Sequence, residues 1–151
     1  MSTIKRVWAR EILDSRGIPT VECYCQLDDG RFATASVPAG TSTGSHEAVE
    51  LRDNDKSRYH GQGVLKAVEN INTVLGPAVV GMDPTKQADV DQKLISTDGT
   101  ENKSKYGGPS ILAVSEVVCK VAALAQGKAL YSWVNDLAVD RGMPKGIKTP
   151  T

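Results

Sequence analysis

The chain has 151 residues, of which 40% are hydrophobic and 24% are charged, values typical of a folded globular domain. Lysine plus arginine and aspartate plus glutamate both number 18, so no net charge attracts nucleic acid or anionic lipid. The chain also lacks a basic cluster, an aromatic series for base stacking and an apolar run near about 18 residues. We therefore expect neither a nucleic-acid partner nor a membrane span.

The amino terminus lacks the apolar core of a signal peptide, which favours a cytoplasmic location. The three cysteines, Cys23, Cys25 and Cys119, have no histidines at spacings that would complete a zinc site. We expect reduced, buried thiols that pack as small hydrophobic groups.

Residues 4–37 predict three antiparallel strands. Residues 20–27 alternate, with Val21, Cys23, Cys25 and Leu27 on one face. A turn at residues 14–17 joins the first two strands, and the hairpin turn at residues 28–30 uses Gly30 for a positive φ. The result is a meander, one face of which must be covered by other elements of the fold.

Helical patterns follow the strands. Residues 64–75 predict an amphipathic helix that Gly76 and Pro77 should end, with a buried stripe formed by Val64, Leu65, Val68, Ile71 and Leu75. Asp83 and Pro84 predict the start of a helix that runs to about residue 97 and buries Ala88, Leu94 and Ile95. Residues 109–126 predict a buried helix, and a last amphipathic helix carries Leu130, Val134, Leu137 and Ala138. The order predicts an α+β fold: a three-stranded antiparallel meander followed by about four helices.

The most unusual stretch is residues 37–53. Its first half is built from glycine, alanine and hydroxyl residues that cannot pack a core but leave backbone groups free for a phosphate or a hard cation. Its second half is dense in carboxylates. These features indicate a ligand loop followed by a charged anchor formed by Glu47, Glu50 and Arg52.

The run from Ser42 to Asp53 resembles the enolase family, and so do residues 14–17 with 19–22, Gly61-x-Gly63-Val64, and residues 98–100 with 102–105. The matches extend from about residue 5 to about residue 135. The resemblance implies an amino-terminal lid and dimerisation domain at residues 1–140, then at residues 141–151 the start of a linker to a barrel domain that is absent here.

By this resemblance, Ser42 is a ligand of a second Mg²⁺, and Ala39, Gly40, Thr41, Thr43 and Gly44 support the loop. A plain solvated turn is the alternative for these residues. The resemblance puts Arg10, Arg16 and Glu22 where subunits of a homodimer or higher oligomer meet, with Arg10 and Glu22 in inter-subunit ion pairs. Enolases usually differ at Ala39, Pro109 and Ala113, which leaves details of the loop and of the helix at residues 109–126 open.

An enolase is a lyase that removes water from 2-phosphoglycerate, a phosphorylated small molecule, in glycolysis. The resemblance assigns the catalytic acid and base to the barrel, so we expect no catalytic residue in this chain and no activity from the chain alone. The alternatives are an enolase-like binding or assembly module, and the lid of another enolase-superfamily enzyme.

Overall fold

A computed structural model describes residues 2–38, 40, 44 and 47–143 of the chain. Three antiparallel strands follow one another: β1 (Ile4–Leu13), β2 (Pro19–Leu27) and β3 (Phe32–Ser36), with β2 in the middle of the sheet. The inward side chains of β2 are at most 1% exposed from Val21 to Leu27, which confirms the predicted alternation. Gly30 has a φ of 89° in the second hairpin, as its turn requires.

The outer face of the sheet carries an aromatic stack that crosses all three strands. The Trp8 and Tyr24 rings are stacked with centroids 5.2 Å apart, and the Tyr24 and Phe32 centroids are 6.4 Å apart. The guanidinium of Arg6 lies over the Trp8 ring. In contrast to the buried inner face, this side of the meander leaves Phe32 half exposed.

The first helix is longer than predicted. α1 (Leu65–Asn70) continues through a π-helical turn (Ile71–Leu75) into α2 (Gly76–Val79), so the prediction that Gly76 and Pro77 end the helix is wrong. In the wider turn, the Gly76 N–H bonds to the Ile71 carbonyl five residues earlier. Pro77 has no N–H and cannot donate the next hydrogen bond of the helix, but it follows the π turn directly, where the regular hydrogen-bond pattern is already interrupted. Leu65, predicted on the buried stripe, is 47% exposed.

α3 (Gln87–Asp98) starts later than the predicted cap at Asp83. The Asp83 carboxylate instead accepts hydrogen bonds from the backbone N–H and the hydroxyl of Thr85, at 2.9 and 2.7 Å, and so stabilises a separate turn. The later start also shifts the buried face of the helix. Leu94 is buried as predicted together with Val90, but Ala88 and Ile95 are exposed.

α4 (Gly108–Ala125) is the predicted core helix and contacts β2, β3 and α3. Contrary to the expectation of no apolar run near about 18 residues, α4 is, within the described residues, a helix whose length and composition could cross a membrane. Half of it is buried inside this fold, so burial in the core accounts for its apolar composition.

α5 (Leu130–Asp140) packs on α4 through the buried Trp133, whereas Leu130 and Val134 of the predicted stripe are exposed. Counting α1 and α2 as one continuous helix, the described chain has a three-stranded antiparallel sheet followed by four helices. This confirms the predicted α+β class. Residues 144–151 of the predicted linker lie outside the described residues.

Candidate functional site

The amino-terminal base of the predicted ligand loop is Val37, directly after β3. Its N–H donates to the Val21 carbonyl at 3.0 Å, and its carbonyl accepts a hydrogen bond from the Thr20 hydroxyl. Thr20 is only 7% exposed and belongs to the central strand. Both backbone groups of Val37 are therefore fixed to β2.

The centre of the predicted loop falls mostly outside the described residues. Ser42, the predicted Mg²⁺ ligand, is one of these, as are Ala39, Thr41 and Thr43, so the predicted roles of all four stay predictions. Gly40 and Gly44 are described, and both are exposed. Within the described residues, no group of three or more His, Cys, Asp or Glu side chains could hold a metal ion.

The carboxyl-terminal base of the loop is Val49. Its N–H donates to the Asn102 carbonyl at 2.9 Å, and its carbonyl accepts from the Gly108 N–H at 2.8 Å. A Cβ added at Gly108 would lie 2.7 Å from the Cβ of Ala48, so the close contact requires a glycine. Val49 is thus held between the Asp98–Gly108 connection and the start of α4.

The predicted charged anchor is formed by Arg52 and Glu50. Arg52 donates from Nη1 to the carbonyl oxygens of Pro19 and Gln62, at 2.7 and 2.8 Å, and pairs with Glu50 through Nη2 at 2.5 Å. Arg52 therefore joins the sheet to the segment that follows the loop. Glu47, the third predicted member, is exposed and takes part in no ion pair among the described residues.

Sequence reasoning missed a second charged group behind this anchor. The Asp53 carboxylate accepts the N–H groups of Leu65 and Lys66, at 2.8 and 2.9 Å, at the amino terminus of α1. Arg58 pairs with Glu11 at 2.5 Å and lies 3.7 Å from Asp53. A negative charge at a helix amino terminus is favourable. The sequence does not indicate this cap, because a loop separates Asp53 from the start of α1 and a sequence pattern shows a cap only when it directly precedes the helix.

The three predicted subunit-interface residues are paired within this chain. Arg10 and Glu22 are partners across β1 and β2 and form an ion pair at 2.8 Å. Arg16 pairs with Asp14 at 2.8 Å. Hydrogen bonds from the Tyr24 hydroxyl and from Arg10 outweigh the opposing effect of burial, so the pKa of Glu22 is lowered. These pairs neither require nor exclude the predicted contacts between subunits.

An open groove of about 850 Å³ lies between the loop bases and the start of α4. Its walls are mainly apolar and include Val49, Ile95 and Leu112. Glu50 and Lys103 also line it. The structure therefore places the two loop bases, each fixed by hydrogen bonds, beside a concave surface.

Comparison with known proteins decides the family. The family described as "Enolase, N-terminal domain" matches residues 4–134. The chain belongs to this enolase family. An enolase from Mastigamoeba balamuthi is 54% identical over 138 residues, which cover 91% of this chain and 31% of that enolase. The chain therefore spans about a third of the length of this relative.

Two departures from the usual enolase sequence can be located in the structure. Pro109 lies in the first turn of α4, where its missing N–H costs no helical hydrogen bond. Ala113 is fully buried in the core, so the methyl group is accommodated by the packing. Ala39, the third departure, lies outside the described residues.

Proposed function

We propose that this chain is the amino-terminal lid and dimerisation part of an enolase and acts together with a barrel domain in converting 2-phosphoglycerate to phosphoenolpyruvate and water. The observation that carries the proposal is the 54% identity to an enolase across 91% of this chain. The fixed loop bases at Val37 and Val49 support it, because they bracket the stretch that resembles the enolase ligand loop.

In this proposal the chain helps to position the metal ion and the substrate, and it transfers no proton. Ser42 would contribute its hydroxyl and carbonyl oxygens to a second Mg²⁺, and the barrel and the phosphorylated substrate would supply the other ligands. One serine cannot dehydrate Mg²⁺, so the chain alone binds the ion weakly. When bound, the metal stabilises negative charge on the substrate.

The same proposal leaves the catalytic acid and base to the barrel, so this chain alone is inactive. The full-length protein forms a homodimer or a higher oligomer in the cytoplasm, with Arg10, Arg16 and Glu22 near the contact between subunits. Arg10 is exposed on the outer face of the sheet, where a neighbouring subunit could reach it.

The decisive experiment measures 2-phosphoglycerate dehydration by the ultraviolet absorbance of the enol product, in the presence of Mg²⁺. The chain is assayed alone and mixed with the remaining two thirds of the Mastigamoeba balamuthi enolase. The matched amino-terminal part of that enolase, mixed with the same remainder, is the positive control.

We expect no turnover by the chain alone and turnover on mixing. Turnover by the chain alone would contradict the assignment of acid and base to the barrel. If the positive control is active and this chain fails to replace it, the proposed function is wrong, and the binding or assembly module becomes the better interpretation.

A further inference from the structure

We infer that Asp98 is a positioning residue whose buried carboxylate fixes the path of the connection from α3 to α4. In this conformation the Asn102 carbonyl and the Gly108 N–H hold Val49 at the base of the ligand loop. The inference deepens the proposed function and rests on it for its catalytic consequence. Its structural part concerns only contacts between described residues.

Asp98 is the last residue of α3 and only 3% exposed. One carboxylate oxygen accepts from the hydroxyl of Thr100 and, at 3.1 Å, from its backbone N–H. The other oxygen accepts from the Tyr106 N–H at 2.8 Å. The two oxygens of one carboxylate thus join the start of the connection to its end.

These hydrogen bonds continue into the rest of the connection. The Thr100 hydroxyl oxygen also accepts from the Ser104 N–H at 2.8 Å, and the Gly107 N–H donates to the Lys103 carbonyl at 2.8 Å. Lys103 has a φ of 59°, an unfavourable value for a residue with a side chain. The surrounding bonds hold this conformation, and a buried carboxylate at their centre is therefore suited to define the path of the backbone.

The shaped connection presents two backbone groups on one side, and they meet Val49. The Asn102 carbonyl accepts its N–H and the Gly108 N–H donates to its carbonyl, at 2.9 and 2.8 Å. The packing around this contact is tight. A Cβ added at Gly107 would lie 3.0 Å from Cγ of Leu51, and one added at Gly108 would lie 2.7 Å from Cβ of Ala48.

Asp98 does not line the groove, so any effect on the ligand loop passes through the backbone of the connection. Val37, at the other base, depends on Thr20 of β2 instead. Loss of the Asp98 carboxylate should therefore release the carboxyl-terminal base and leave the amino-terminal base fixed. A residue that only stabilised the core would loosen both bases together.

Asp83 offers a matched control. Its carboxylate accepts the N–H and hydroxyl of Thr85 in the same pattern that Asp98 uses with Thr100, but in a turn before α3. The test compares Asp98→Ala and Asp98→Asn with Asp83→Ala in the chain as given. The readout is amide hydrogen exchange, followed by NMR, at Val49, Gly108 and Val37.

We expect Asp98→Ala to lower the protection of the Val49 and Gly108 amides about tenfold or more, the effect of losing roughly one hydrogen bond, with Val37 unchanged. Asp98→Asn should fall between wild type and Asp98→Ala, because its amide nitrogen cannot accept the Tyr106 N–H. Asp83→Ala should leave all three amides unchanged. If Asp98→Ala does not fold, Thr100→Ala and its conservative partner Thr100→Ser provide the same comparison, with Thr100→Ser retaining protection.

Unchanged protection at Val49 and Gly108 in the folded Asp98 variants would overturn the inference. A uniform loss at Val37, Val49 and Gly108 would also overturn it, since it would indicate a general loss of stability. In the mixed assay with the enolase remainder, Asp98→Ala should lower kcat more than Asp83→Ala does. If wild type is inactive there, the proposed function fails, while hydrogen exchange still decides the role of Asp98.

Discussion

The substitution Gly76→Ala tests the packing of the long first helix against the sheet, because two physical effects on stability have opposite signs there. Gly76 has helical backbone angles, with a φ of −62°. Replacing a helical glycine by alanine ordinarily stabilises a protein by about 1 kcal/mol. A Cβ at this position, however, would lie 2.7 Å from the Val7 carbonyl oxygen and 2.8 Å from that of Ile71.

Both contacts are with backbone atoms, which cannot move away by rotating a side chain. Overpacking of this kind typically costs about 1–3 kcal/mol, and relieving it here means moving β1 or widening the π turn further. We expect the clash to exceed the gain in helix propensity. With a cost of about 1–3 kcal/mol set against a gain of about 1 kcal/mol, the free energy of unfolding should fall by up to about 2 kcal/mol, which corresponds to a decrease in Tm of up to roughly 8 °C for a chain of this size.

Urea unfolding followed by far-UV circular dichroism measures this change by linear extrapolation. Thr73→Ala is the control for helix propensity without a clash. Thr73 is exposed in the same helical stretch and its hydroxyl donates to the Glu69 carbonyl, so replacement by alanine should raise stability by about 0.5 kcal/mol. A Gly76→Ala variant that is about 1 kcal/mol more stable than wild type would refute the reasoning. Helix propensity would then outweigh a close approach that β1 could easily relax.

Three further predictions concern other parts of the chain. Ser110 is fully buried and its hydroxyl has no hydrogen-bond partner among the described residues. Ser110→Ala should therefore raise the free energy of unfolding by about 1 kcal/mol, and lower stability in urea would contradict this prediction. Burial raises the pKa of Cys23 and of Cys25 to about 12. An aromatic disulfide reagent at mildly alkaline pH should therefore modify the half-buried Cys119 first, and Cys23 and Cys25 only on unfolding. Rapid labelling of all three thiols in the folded chain would disprove this prediction. In the full-length protein, Glu22→Lys should weaken the dimer in sedimentation experiments, and unchanged sedimentation would remove Glu22 from the proposed interface.

The sheet was predictable from the sequence because its signals are local. Alternation along residues 20–27 identifies the buried face of β2, and Gly30 marks the turn that follows it. The buried character of α4 was equally readable, since its apolar residues surround the helix. In each case the physical cause lies within a few neighbouring residues.

The errors in the helices have a non-local cause. Gly76 and Pro77 are a strong local stop signal, but the helix continues because a π turn and the nearby edge of β1 accommodate them. Asp83 has the local features of a cap, yet its carboxylate stabilises a turn and α3 begins at Gln87. Burial of α3 then follows its packing partners, which is why Ile95 is exposed in the groove.

By itself, the sequence determined the order of strands and helices, the α+β class and the membership in the enolase family, because periodicity, turn chemistry and motif order are properties of the linear chain. Only the tertiary structure decided that Asn102 and Gly108 hold Val49, that Asp53 caps α1, and that Arg10 pairs with Glu22 within the chain. These contacts join residues far apart in the sequence or separated by irregular loops. Their formation depends on how the backbone turns in three dimensions, and no local pattern of residue types specifies that path.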